Sequence, residues 1–306
     1  MTSYFVSILL LFAFFFAGIF SARIEAVRRS RTLERLSSFL LPLMLLAMGF
    51  RIGYTTDSGK DLAASGYVAV VFALCTIAGT FATTGALCLA SPRRPQNSGE
   101  RRKDGPASFR GPLLLLLMVV IGFTAGALLP NTGFSGENLT TWLLRFLLFT
   151  IGIDMVRSGV SFLSALKDRN TLLLPLLTAA GSLAGGLAAA LILGMNIWKG
   201  LSVASGFGWY TLSGVLITDM GDPMLGSVAF LTNMLREALA ILVIPFLGPT
   251  IFSRTAVGIA GATSMDVTLP LIERAAGADI VPLSISHGVF MSLLVPFLVP
   301  LFYGAG

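Results

Sequence analysis

Apolar runs of 18 residues or more recur along the whole chain, and each is long enough to cross about 30 Å of hydrocarbon. Nothing else constrains the fold as strongly. A backbone that crosses lipid must satisfy its own hydrogen bonds, which leaves helices or a closed barrel, and unbroken runs of this length are helical. Of 306 residues, 55% are hydrophobic and only 12% are charged. The sequence therefore describes an all-α polytopic membrane protein.

Six regular spans are expected at about 4–22, 39–56, 66–90, 112–130, 139–156 and 171–193. The loop after the first span carries Arg23, Arg28, Arg29, Arg31 and Arg35. The loop after the third carries Arg93, Arg94, Arg101, Arg102, Lys103 and Arg110, and the fifth is followed by Arg157, Lys167 and Arg169. The intervening loops hold little beyond Lys60. Basic loops mark the cytoplasmic side, so the N-terminus is expected outside. The charges that follow the first apolar run also argue against a signal peptide, which carries its positive charges before it. The net charge of +6 is thus topological and does not point to nucleic acid. Cys75 and Cys88 have no metal-ligand partners nearby and read as small apolar filler.

Spans 1–3 and 4–6 read as two copies of one unit. FFAGIFSA (15–22) echoes FTAGALLP (123–130), MGFRIG (48–53) matches IGIDMV (151–156), and IAGTFATTGALCL (77–89) echoes AAGSLAGGLAAAL (179–191). Arg51 then falls opposite Asp154. An odd number of spans per copy turns the second copy upside down, and inverted repeats are a signature of secondary transporters.

Residues 1–193 form this six-span region, and 194–306 behave differently. From Asn196 to Asp222 and from Ala256 to Ala278 the chain is apolar but broken by Gly, Ser, Thr, Asp and Pro. A regular span follows each, at about 223–248 and 280–303. Re-entrant breaks give eight full spans, crossing breaks give ten, and the C-terminus is outside in both. Arg254 is cytoplasmic in the eight-span arrangement, which the charge rule favours. Irregular backbone at membrane depth is tolerated where protein buries it or where it lines a wet cavity. SGFGWYTLSG (205–214) is therefore expected to form one wall of a substrate site; the competing reading is close helix packing through its glycines.

Several polar residues stand out inside these apolar stretches. Arg236 and Glu237 lie within FLTNMLREALAILVIPFL (230–247), where a charge is expensive and marks an ion or substrate path. Asn233 shares a broad face of that helix with both. The alternative for Arg236 is a structural ion pair with another span. Asp266 belongs to GATSMD (261–266) and is a candidate site residue. The Gly, Ala, Thr and Ser before it, Ser264 included, supply hydroxyls and backbone donors of the kind that capture a carboxylate at a helix end; the alternative is a helix N-cap made by Ser264 or Asp266. Asp154, inside the fifth span, is a second candidate acid or a partner for Arg51 or Arg157. His287, the single histidine, is a candidate proton relay or a packed residue. Trp209 and Tyr210 either hold a cation against their rings or anchor at the interface. Asp219 and Asp222 sit in a turn-like DMGDP segment and are expected to be solvated.

The sequence has no G-x-x-x-x-G-K-[ST] nucleotide loop, no H-E-x-x-H, no G-x-S-x-G and no Cys/His cluster. ATP-driven transport by this chain, hydrolase chemistry and a metal centre therefore lack visible machinery, and no cofactor is expected.

At SGFGWYTLSG, NMLREALAILVIP (233–245), GATSMDVTLP (261–270) and SHG (286–288), the sequence resembles the bacterial lysine exporter family of the LysO type. The match is dense from about Ala204 to Phe297; earlier it rests on span pattern and charged loops. The resemblance implies a multi-pass protein of the cytoplasmic membrane that exports L-lysine and toxic lysine analogues. It also implies an essential intramembrane acid, which Glu237 matches. A second family acid is expected near the end of the second span, where Asp57 stands at the outer edge. Lysine and protons are then the expected partners besides lipid, and a homo-oligomer is compatible with the sequence. An uncoupled facilitator, and export of arginine or another cationic solute, remain the competing readings.

Overall fold

The computed structural model describes residues 2–28, 30–55, 59–92, 110–128, 137–157 and 169–306. Helix accounts for nearly all of them, and among the described residues there is no strand. The long helices of the first part are α1 (Thr2–Ser21), α3 (Arg31–Thr55), α4 (Gly59–Ala90), α5 (Arg110–Leu128), α6 (Glu137–Arg157) and α7 (Arg169–Leu193), with a single turn α2 (Glu25–Arg28) after the first. A helix thus occupies each of the six stretches expected from the apolar runs. The first broken stretch becomes α8 (Ile197–Ala204) and α9 (Tyr210–Asp219), followed by α10 (Pro223–Leu247). The second becomes α11 (Ser253–Ala260), a 3₁₀ segment (Gly261–Met265) and α12 (Leu269–Ala276). After a short 3₁₀ turn (Ala278–Ile280) comes α13 (Val281–Ala305). Among the described residues four stretches are long and apolar enough to cross a membrane: Ser65–Ala90, Leu172–Leu193, Pro223–Leu247 and Val281–Ala305.

The chain forms two compact units. One comprises Met1–Ala64, Phe109–Gly159 and Gly214–Ser227; the other comprises Ser65–Ser108, Val160–Ser213 and Val228–Gly306. In the first unit, backbone-on-backbone glycine contacts set the helix pairs. A Cβ added at Gly49 would strike Val119 and Phe123, one at Gly53 would strike Phe123 and Ala127, and Gly122 and Gly126 face Leu46, Phe50 and Tyr54 in the same way. The partner number rises with position along both chains, so α3 and α5 run parallel. Each contributes a G-x-x-x-G face, which lets two backbones touch without side chains between them. On the other pair, Phe14 meets Trp142 and Phe146 edge-on, Gly18 faces Phe149, and Gly152 faces Phe15 and Ile19. α1 and α6 are therefore also parallel.

In the second unit α4 and α7 are antiparallel. Gly79 faces Gly181, Gly185 faces Cys75, and the Thr83 hydroxyl donates to the Leu177 carbonyl at 2.8 Å. α8 folds back along α7, with Gly200 against Ala190 and Gly186 against Ala204. α8 is also antiparallel to α13: Ser202 donates to the Val299 carbonyl at 2.9 Å, and Trp198 stacks on Phe302. Leu174 shares one core with Ala240 and Ile244, whereas Ser182 lies against Arg236, so α10 runs opposite to α7. Gly248 packs on Ala275, which brings the chain just before α11 beside the end of α12. Arg254 donates to the Ser91 carbonyl at the end of α4.

Overpacking a backbone contact costs roughly 1–3 kcal/mol or more. Gly185→Val, whose added atoms meet the Cys75 carbonyl, is expected to lower the melting temperature of the purified protein sharply. Gly66→Ala has nothing within 4 Å of its new methyl and is expected to be neutral or slightly stabilising in the same assay.

Candidate functional site

The two broken stretches meet at their breaks. α8 ends where Phe207 takes φ 47° and Gly208 φ 90°; α11 ends where Gly261 takes φ 64°. Positive φ is natural for the glycines and strained for Phe207, an outlier of the kind that persists only where surrounding structure holds it. What holds it is visible: the Phe207 carbonyl accepts the Ala262 amide at 2.9 Å. A side chain at Gly261 would collide with that carbonyl, so glycine is required there by contact as well as by φ.

Three side chains of α10 serve this crossing, each differently. Asn233 is saturated. Its Oδ1 accepts from Gly208 N–H at 2.8 Å, and its Nδ2 donates to the carbonyls of Val203 (3.3 Å) and Ala229 (2.9 Å) and to the Ser213 hydroxyl (3.2 Å). Asn233 therefore replaces, from the side, the helical bonds that the first break gives up.

Arg236 is 1% exposed. It donates to the Ser182 hydroxyl at 2.6 Å and the Thr80 hydroxyl at 3.1 Å, and its Nε approaches the Ile259 carbonyl at 3.5 Å. Ser182 in turn donates to the Ala204 carbonyl at 2.9 Å. Ile259 and Ala204 belong to the last turns of α11 and α8, where the helix dipole concentrates negative charge. The guanidinium is thus tied directly to one helix end and through a serine to the other. It makes no ion pair among the described residues; in place of the alternative structural ion pair, two hydroxyls and a helix terminus hold it.

Glu237 is the opposite case. It is 2% exposed, and neither carboxylate oxygen has a hydrogen-bond partner among the described residues. Tyr210 and Asp266 lie within electrostatic reach of it. Tyr210 is buried and packs edge-on against Phe230 at 5.4 Å between ring centres. Trp209 beside it is half-buried, and its carbonyl accepts the Ser213 amide and hydroxyl. Asp266 is exposed and accepts the Val267 amide at 2.6 Å.

His287 and Ser264 form a buried pin between α13 and the second break. The Ser264 hydroxyl donates to the Ser284 carbonyl at 3.0 Å, so its contact with His287 Nδ1, also 3.0 Å, is one in which the ring donates. His287 Nε2 then accepts from the Thr178 hydroxyl at 3.0 Å. Both ring nitrogens are occupied in this tautomer, which the hydrogen-bond pattern assigns. Gly288 lets α13 close onto Ala262 and Met265.

Of the residues singled out from the sequence, Glu237, Asp266, Arg236, Asn233, Trp209, Tyr210, Ser264 and His287 gather in the second unit. Asp154 lies on α6 in the first unit, and Asp57 falls outside the described residues. Asp222 is not simply solvated: its Oδ1 accepts the Leu225 amide at 3.0 Å and caps α10. Ser182, Thr80 and Thr178 escaped the sequence reading because hydroxyls in Gly- and Ala-rich spans carry no charge signal. One clue existed: Thr76, Thr80, Thr84 and Cys88 recur every fourth residue on α4, all buried, with Cys88 against Thr255 at 3.4 Å.

Helices that break and meet at their ends among apolar spans, beside a buried acid with no hydrogen-bond partner among the described residues, mark a multi-pass membrane protein that is not a plain bundle. The comparisons narrow this: the chain belongs to the Lysine exporter LysO family, whose model matches residues 116–303 and so takes in the whole crossing. It is 36% identical over 278 residues to "Lysine exporter LysO" of Escherichia coli (strain K12), covering 89% of this chain and 91% of that protein. It is 38% identical over 194 residues to "Putative lysine exporter" of Haemophilus influenzae (strain ATCC 51907 / DSM 11121 / KW20 / Rd), covering 61% and 96%. No solved structure matches the chain.

Removing the guanidinium strips two hydroxyls and two helix ends of their cation. Arg236→Met is expected to cost about 2–4 kcal/mol, read as a lower midpoint in denaturant or heat. Arg236→Lys is expected to recover only part, because a single ammonium cannot reach groups that a planar fork spans.

Proposed function

We propose that the chain exports L-lysine and lysine analogues across the cytoplasmic membrane in exchange for protons, with Glu237 alternating between proton and substrate ammonium. The observation that carries this is a buried carboxylate with no hydrogen-bond partner, one residue from a guanidinium that is fully engaged elsewhere. A structural acid in an apolar span is paired; an unpaired one is waiting for a cation or a proton. The names of the two relatives supply the solute. Physics supplies the exchange: carrying one positive charge outward against an inside-negative potential costs about 2.3 kcal/mol per 100 mV. One incoming proton cancels that charge, and a single carboxylate for which proton and ammonium compete enforces the trade. Asp266, exposed and in electrostatic reach of Glu237, serves as the second acid in this mechanism.

The helix pairing supports an inverted repeat of α1–α3–α4 and α5–α6–α7. Under that relation α1·α6 and α5·α3 are equivalent pairs, and both are parallel. Gly79 and Gly181, matched in the sequence alignment of the halves, touch each other on the antiparallel α4·α7 seam. The same geometry favours eight full spans, N-terminus and C-terminus outside, with two re-entrant hairpins. Gly248 beside Ala275 supports an entrance and exit of the second hairpin at one face, and Arg254 at the end of α4 supports reading that face as cytoplasmic by the charge rule.

Labelled lysine flux in proteoliposomes under an imposed pH gradient tests the mechanism. Wild-type flux is expected to follow the gradient and Glu237→Gln flux to vanish. Flux indifferent to both the gradient and the substitution would establish a facilitator instead. Thr250→Cys and Gly221→Cys, both at exposed positions, are expected to be labelled from opposite faces, the first from the cytoplasm and the second from outside; labelling with those faces exchanged would overturn the eight-span arrangement.

A further inference from the structure

The first break leaves three backbone donors unused. The first hydrogen bond into α9 runs from the Ser213 amide to the Trp209 carbonyl, at 3.1 Å. Upstream, the Gly208 amide is held by Asn233 and the Trp209 amide by the Gly206 carbonyl at 2.7 Å. Between them, the amides of Tyr210, Thr211 and Leu212 have no acceptor among the described residues. All three residues are buried, at 6%, 5% and 0% exposure. Three buried donors aligned at the positive end of a ten-residue helix form an anion site.

The helix register places Glu237 near the start of α9. α10 runs antiparallel to α9: Gly226 packs on Thr218 and Gly214, Phe230 packs on Tyr210, and Asn233 accepts the amide of Gly208, just before α9. Glu237 is one turn further along the same face, past the start of α9, on the side toward which a helix directs its free N–H groups. Its charge reaches Tyr210, yet its oxygens bond none of the three amides. An unpartnered carboxylate and three unpartnered donors, among the described residues, therefore lie at the same end of α9. Arg236, the obvious cation for an anionic ligand, is excluded because its nitrogens are tied to Ser182, Thr80 and the end of α11.

A molecule with an ammonium next to a carboxylate satisfies both sets at once. We propose that the amides of Tyr210, Thr211 and Leu212 hold the α-carboxylate of the exported amino acid while Glu237 takes an ammonium of the same molecule. This rests on the export reading above and adds a selection rule to it. Cations that lack the carboxylate, such as lysinamide and cadaverine, do not occupy the site, although Glu237 alone would accept them.

Hydrogen exchange on the purified wild type, read alongside its melting temperature, tests the assignment. Lysine is expected to raise the melting temperature and to slow exchange of the 210–212 amides by about tenfold or more; lysinamide and cadaverine are expected to leave that exchange unchanged. A lysine-induced rise in melting temperature without protection of these amides overturns the site and leaves the export reading standing. Equal protection by lysinamide also overturns it. If neither lysine nor another cationic amino acid shifts the melting temperature, the export reading and the site fall together. A substitution pair gives an independent check. Tyr210→Pro and Tyr210→Ala both lose the phenol, but only proline loses the amide, and its φ suits the first helical position. Lysine affinity is expected to be about tenfold lower in the proline variant than in the alanine variant; equal affinities count against the site.

Discussion

The guanidinium of Arg236 is the interaction on which the rest of the site depends. Two helices stop in mid-protein, and each stopped end leaves carbonyls with no amide to follow. Such ends repel each other if simply brought together. A cation fixed between them, with Ser182 relaying to one and Nε approaching the other, permits the approach. Once the ends are held, the Phe207–Ala262 backbone bond can form, Asn233 can complete the first break, and Glu237 is left beside the junction with nothing to bind. A covalently attached cation does here what a bound ion does at broken-helix ends in secondary transporters: it offsets the negative ends of the two helices.

Neighbouring positions on α10 thus differ in whether protein satisfies them. Residues 233 and 236 are satisfied by protein, and residue 237 is not. His287, which the sequence offers as a relay, belongs with the satisfied group, because Ser264 and Thr178 occupy both of its nitrogens. Most polar side chains around the crossing are thus hydrogen-bonded within the protein.

Much of this was legible in the sequence, and for identifiable reasons. Helix positions followed from the length of apolar runs, and the two breaks from clustered Gly, Ser and Pro at 205–214 and 261–270, because local backbone preference decides both. Arg236 and Glu237 declared themselves by cost: a charge in an apolar run demands an explanation. The sequence could not tell which of the two was engaged, since that depends on where Ser182, Thr80 and Ile259 arrive from three other helices. The hydroxyls themselves were invisible, because a serine among glycines in a span looks like any small packing residue. The unused amides at 210–212 were equally out of reach, as a main-chain donor has no letter in the sequence.

The joint between the two breaks has a consequence for how this region tolerates change. It is made by main-chain atoms of Phe207 and Ala262, so replacing the side chain at either position leaves its donor and acceptor in place. An alanine scan would therefore miss the joint at Phe207 and Ala262 themselves and register it only through Gly261. Only substitutions that alter the backbone reach it: proline at 262, which removes the donor, or any side chain at Gly261, which blocks the approach. Sequence drift is thus free to remodel the surfaces of the two breaks while the contact that joins them stays hidden from selection on side chains.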